Sequence, residues 1–291
     1  MYAQILSIIA PILLISGLGY FWSLFKLAYH EKFVTSFVMN IGMPSLILSA
    51  IIKTGLPATD LLYLTKITLL GLLLFFAFNA VFLKLYKKDF RTYIGPLSFT
   101  NTANMGIPVC MLALGDQAMV LAIVIFMVTS IVQFSLGVAI VGGRNPLYAM
   151  LTAPVFYATL LAFLIVLLDW SIPYSVVNTL DILGATAIPL MLISLGVSLQ
   201  SLQVKGLATS LVMSVVRIGG GFALGLLLCW LLDLQGLVRG VVLLQASMPS
   251  AVASYMLANM YDSQPQQVAG VVLVSTLVSF ASLPLLLWFV L

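Results

Sequence analysis

Along the chain, runs of about twenty apolar residues alternate with short clusters of charged and turn-forming residues. Cutting at those clusters predicts ten hydrophobic helices, over about 4–23, 33–52, 61–83, 93–115, 117–141, 149–168, 179–199, 207–232, 237–261 and 265–289. Each has the length that a hydrocarbon layer of roughly 30 Å demands of a helix rising about 1.5 Å per residue. The expected fold is therefore an all-α polytopic membrane protein with ten transmembrane helices. The first segment, within residues 1–22, lacks a basic leading region and is as long as the others, so it reads as a first span and not as a cleaved signal.

The linkers set the orientation. With the N-terminus outside, cytoplasmic loops hold Lys26, Lys32, Lys84, Lys87, Lys88, Arg91, Arg144 and Lys205, against Lys53, Lys66 and Arg239 on the outer side. Positive loops stay cytoplasmic, so both termini are expected outside a bacterial inner (plasma) membrane. Composition agrees: 63% of the 291 residues are hydrophobic and 7% charged, too apolar for one aqueous core. In such a chain the net charge of +4 reports orientation and implies no nucleic-acid partner. Cys110 and Cys229 lie inside apolar segments and read as small core residues.

The prolines mark an internal repeat. Ala10-Pro11 in the first span matches Ala153-Pro154 in the sixth. Residues 43–49 (MPSLILS) resemble 188–194 (IPLMLIS), and Gly106-Ile107-Pro108 faces Ser247-Met248-Pro249, at offsets of 143, 145 and 141 residues. The repeat unit holds five spans and divides the chain into 1–144 and 145–291. An odd number of spans forces the halves into opposite orientations, the inverted-repeat plan of secondary transporters, whose sites lie at the midplane.

The spans that carry the third marker are expected to break. In Asn101-Thr102-Ala103-Asn104-Met105-Gly106-Ile107-Pro108 the proline lacks a donor and the glycine admits unusual backbone angles. Gln245 to Ala251, with Ser247, Pro249 and Ser250, is the counterpart. Two broken helices crossing at the midplane would aim half-helix N-termini at one point, each opened by its proline, and such ends attract an anion. Arg217 lies about ten residues into the eighth span, where it either helps balance substrate charge or snorkels to the headgroups. No Asp or Glu lies near a span centre: Asp116, Asp169, Asp181, Asp233 and Asp262 fall at or near span ends, which favours an anionic substrate. His30 lies in a charged loop, so an intramembrane hydrolase lacks its chemistry; no enzyme, metal or cofactor is expected.

At these residues the chain resembles the auxin efflux carrier family, which contains the plant PIN auxin exporters and many bacterial permeases. Asn101-Thr102-x-x-Met105-Gly106-Ile107-Pro108 is similar to the plant crossover motif, and Asn101, Asn104, Gly106 and Pro108 also fit the bacterial Asn-x-x-Asn-x-Gly-x-Pro form. Residues 248–252, Tyr261, Pro265 and 275–279 resemble the family's last two spans. The resemblance implies a ten-span inverted repeat with a panel of spans 1, 2, 6 and 7 and a core of spans 3–5 and 8–10 that moves like an elevator. It also implies a homodimer in lipid and a small organic anion, auxin-like or a dicarboxylate such as malate, as substrate. The long cytoplasmic loop of the large plant exporters is missing, with only residues 142–148 between the halves. The expected substrate-binding set is Asn101, Thr102, Asn104, Gly106, Pro108, Ser247, Pro249, Ser250 and Arg217. The alternatives to a secondary active or facilitative transporter of this kind are an anion channel and a sodium-coupled organic-acid symporter.

Overall fold

The computed structural model describes residues 2–55, 57–142, 145–201 and 206–291. Arg144 and Lys205 of the orientation count, the side chain of Lys32 and part of the junction between the expected repeats lie outside the described residues.

The described chain is helical, with an isolated antiparallel bridge between Thr100 and Ser250. α1 (Tyr2–Leu24) is followed by α2 (Glu31–Phe37) and α3 (Met43–Thr54), joined into one rod by a π-helical turn at Val38–Gly42. α4 (Ala58–Leu85) is continuous. α5 (Phe90–Ser98) and α6 (Ile107–Leu114) are separated by extended residues and a π-turn, Thr102–Gly106. α7 (Asp116–Val132) continues through a third π-turn, Gln133–Gly137, into α8 (Val138–Val141).

In the second half, α9 (Pro146–Leu151) precedes α10 (Pro154–Leu167), and α11 (Tyr174–Ala185) runs on into α12 (Ala187–Ser201). α13 (Leu207–Val215) passes through a π-turn at Val216–Gly220 into α14 (Gly221–Leu231). α15 (Gly236–Ala246) and α16 (Val252–Met260) are interrupted by residues 247–251, and α17 (Pro265–Val290) follows.

Among the described residues, seven segments are long and apolar enough to cross a membrane: Leu6–Leu24, Phe33–Lys53, Ala58–Leu85, Asp116–Val141, Tyr174–Gln200, Leu207–Leu231 and Pro265–Val290. Three further apolar helices, Thr102–Leu114, Pro154–Leu167 and Gly236–Ala246, are shorter. They fall where spans 4, 6 and 9 were expected, and each is short for a local reason. Two are halves of interrupted rods. The third starts afresh at Pro154, whose missing N–H is harmless in a first turn. The chain is a polytopic α-helical membrane protein.

Packing divides the rods into two groups. α1 lies along α12, and α3 against α10 and α11. In the other group α4 packs on α5, α7 and α14, α15 on α7 and α14, and α17 on α13 and α16. Small residues let backbones approach closely, as interfaces between membrane helices require. A Cβ at Gly19 would run into the Ile193 carbonyl, and one at Gly196 into that of Ser16, so α1 and α12 are welded. A Cβ at Gly184 would lie 2.8 Å from the Leu46 backbone, and one at Gly42 3.6 Å from Ala187 Cα. The proline-marked stretches of the second and seventh spans therefore face each other. At one edge of this group Lys53 and Asp181 form an ion pair at 2.6 Å, about half exposed and so worth little.

Candidate functional site at the helix crossing

The two interrupted rods cross at residues 99–101 and 249–251. Phe99 and Ala251 adopt extended backbone, and the segments bond to each other: the Asn101 N–H donates to the Pro249 carbonyl at 2.7 Å, and the Ala251 N–H to that of Phe99 at 3.0 Å. Non-helical backbone at membrane depth persists only when its polar groups are satisfied within the protein. Ser250, fully buried, adds two further bonds: its hydroxyl donates to the Pro96 carbonyl at 2.6 Å, and its N–H donates to Ser275 Oγ at 3.1 Å.

The break in the fourth rod lies earlier than the proline suggested. The chain leaves the helix after Ser98, and Asn101 offers its carbonyl to the N–H of Gly106 at 3.0 Å, closing a π-turn that absorbs the glycine. Pro108 then stands in the first turn of α6, as its chemistry favours. Pro249 does not open α16, which begins at Val252; it sits inside the extended link with its carbonyl occupied. A Cβ at Gly106 would meet the end of the Gln245 side chain, which would have to shift.

A cavity of about 190 Å³ lies against this crossing. The interrupted rods line it with residues 100–104 and with Ala251, Val252, Ala253, Tyr255 and Met256; Phe126, Ser130, Gln133 and Phe134 come from the α7–α8 rod. The opposite wall belongs to the other group of helices, through Thr35, Val38 and Met39 and through Met191, Ser194 and Ser198. None of the lining residues is charged. The helical stretches that open at Thr102 and Val252 both begin at this cavity, so their unpaired N–H groups and positive dipole ends converge there. The Asn101 side chain is 3% exposed, and its Nδ2 has no hydrogen-bond partner. Buried amide donors are nearly always paired, so this one marks a place for an acceptor.

Of the residues singled out in the sequence, Asn101, Thr102 and Asn104 line this cavity; Gly106, Pro108, Ser247, Pro249, Ser250 and Arg217 do not. Ser247 donates its hydroxyl to the Leu243 carbonyl at 2.7 Å, one turn back. Arg217 is buried away from the surface and from this cavity: it is 1% exposed and donates to the carbonyls of Leu97, at 2.5 Å, and Ala246. Sequence reasoning did not single out Gln133, which donates to Ser254 Oγ at 3.4 Å, nor Ser194, which shares a 2.7 Å hydrogen bond with the Tyr29 hydroxyl. Gln133 carried a signal, an amide inside an apolar span.

Residues 147–287 match the family model described as membrane transport protein. The chain is 25% identical to an uncharacterized transporter of Methanocaldococcus jannaschii over 97% of each chain. It is 28% identical to another of Methanothermobacter thermautotrophicus over 85% of each. Apolar rods, a crossing of two interrupted helices and these likenesses define a membrane transporter. Over its second half the chain is similar to this family of membrane transport proteins.

Proposed function

We propose that the chain is a carrier of small organic anions that binds its substrate in the cavity at the crossing. One observation carries this reading: two helix N-termini and the unpartnered Asn101 amide share an uncharged cavity. Donors without a fixed cation suit a carboxylate that must be released again. Phe126, Phe134, Tyr255 and the methionines at 39, 191 and 256 would cover the apolar body of an acid.

The proposed mechanism is alternating access by an elevator. The cavity lies between the two packing groups, so sliding the group of α4–α8 and α13–α17 against that of α1–α3 and α10–α12 would carry the site from one face to the other. Two repeats, 1–144 and 145–291, inserted oppositely as ten spans, would give the two end states. The reciprocal pairing supports this: α1 of the first half packs on α12 of the second, and α10 of the second packs on α3 of the first. With both termini outside the plasma membrane, the cavity would face the cytoplasm, because its far wall comes from the ends of rods nearest residues 26–30. A homodimer through the α1–α3, α10–α12 group would anchor the stationary part.

The test is uptake into proteoliposomes of labelled indole-3-acetate, malate and malonate. Saturable uptake that is accelerated by unlabelled acid on the opposite side is expected. Linear, unsaturable flux would establish a pore. No flux of any acid, from protein shown to be folded, would overturn the reading. Electrogenic uniport or anion exchange is expected over proton symport, since no carboxylate relay lines the cavity.

A further inference from the structure

Interrupted membrane helices present carbonyl oxygens at half-helix C-termini, and in carriers these negative ends coordinate sodium or protons. The two half-helices that end at the crossing are α5 and α15. Carbonyls of their last turns converge on a single side chain, Arg217, which donates to Leu97 O through Nη1 and to Ala246 O through Nη2. The guanidinium carbon lies 4.4 Å from the centroid of the Phe75 ring. Among the described residues the one ion pair joins Lys53 and Asp181, so no carboxylate neutralises Arg217.

The surroundings are built around this cation. A Cβ at Gly221 would run into both the Ala246 carbonyl and Arg217 Nη2, so only glycine leaves the guanidinium its path. Asn79 donates from Nδ2 to the Leu97 carbonyl at 3.1 Å and to Ser98 Oγ at 3.2 Å, fixing the helix end that Arg217 caps. The planar fork of arginine reaches two carbonyls at once, which a lysine ammonium does less well, and it stays charged when buried. The N-terminal ends of the helical stretches after the breaks face the cavity, while both C-terminal ends before them meet at Arg217.

We propose that Arg217 is a built-in substitute for a coupling cation: it binds the two negative helix ends together, and anion transport therefore requires no sodium. The sodium clause rests on the carrier reading; the capping does not. The capping is tested first, on Arg217→Gly purified in detergent. Guanidinium at about 10 mM, far below denaturing concentrations, should raise its melting temperature. Urea at the same concentration, equal in shape but neutral, should not. Equal rescue by urea, or no rescue of a folded variant, would overturn the capping. Should the glycine variant not be recovered folded, Arg217→Lys should melt above Arg217→Gln, and the reverse order would overturn it. Uptake of indole-3-acetate and malate by the unaltered protein should proceed at the same rate when N-methylglucamine replaces sodium. A loss of about tenfold or more on sodium removal, equivalent to about 1.4 kcal/mol, would overturn the substitution. If neither acid is taken up with or without sodium, the carrier reading and its sodium clause fall together, and the melting series still decides the capping.

Discussion

Asn101 is held by its backbone and left open by its side chain. Its N–H and carbonyl are both engaged, to Pro249 and Gly106, while Nδ2 is buried without a partner. Replacing Asn101 and Asn104 together by Ala should abolish uptake while leaving the protein folded, as judged by its melting temperature and gel-filtration profile. Normal transport by a well-expressed double variant would remove the site from this cavity. Ser250 acts differently. It was grouped with the asparagines in the sequence because it lies beside Pro249, but its hydroxyl and N–H are spent on Pro96 and Ser275. Ser250→Ala leaves the buried Pro96 carbonyl short of a donor and should cost about 1–3 kcal/mol of stability, read as a lower melting temperature. Any uptake defect should follow the folded fraction; a loss of affinity at unchanged stability would put Ser250 in contact with substrate. Such distinctions escape the sequence, because a serine that binds backbone and one that faces a cavity are spelled alike.

The interrupted rods were legible because their causes are local. Proline removes a donor wherever it stands, and a run holding Asn101, Asn104, Gly106 and Pro108 cannot continue as an ordinary apolar helix. The exact break was less legible: the π-turn at Thr102–Gly106 spreads the distortion over a full turn before Pro108, and only its bond from Gly106 back to Asn101 fixes where the helix resumes. The far wall of the cavity was not legible. Thr35, Ser194 and Ser198 are ordinary small polar residues in their own rods, brought to the site by packing across long stretches of sequence. Arg217 was visible as a deep charge, but its acceptors are main-chain carbonyls, which leave no mark in a sequence. Glycines at rod contacts give a test at this scale. Gly196→Val would drive a side chain into the Ser16 carbonyl and the Tyr20 backbone, and overpacking of this kind costs about 1–3 kcal/mol. The variant should melt earlier, whereas Gly17→Val, next to Ser16 in α1 but facing open space, should not.

For the whole molecule, the proposed elevator would make the fixed charge on Arg217 set which step of transport feels the membrane potential. Arg217 belongs to the group of rods proposed to move, none of the residues lining the cavity is charged, and the guanidinium is bonded to the two helix ends that stop at the crossing. A bound monovalent anion would make the loaded unit nearly neutral, and the empty unit would return carrying one positive charge. Each charge moved through the field is worth about 2.3 kcal/mol per 100 mV, so the empty return alone should be steeply voltage-dependent. Exchange of one monovalent acid for another uses only the loaded step, and its rate in proteoliposomes should be flat across valinomycin-clamped potentials. Net uptake must include the empty return and should change severalfold over the same range. With a divalent acid such as malate the loaded unit would carry a net negative charge, and exchange should become voltage-sensitive too. Equal voltage dependence of exchange and net uptake for a monovalent acid would show that Arg217 does not move with the substrate.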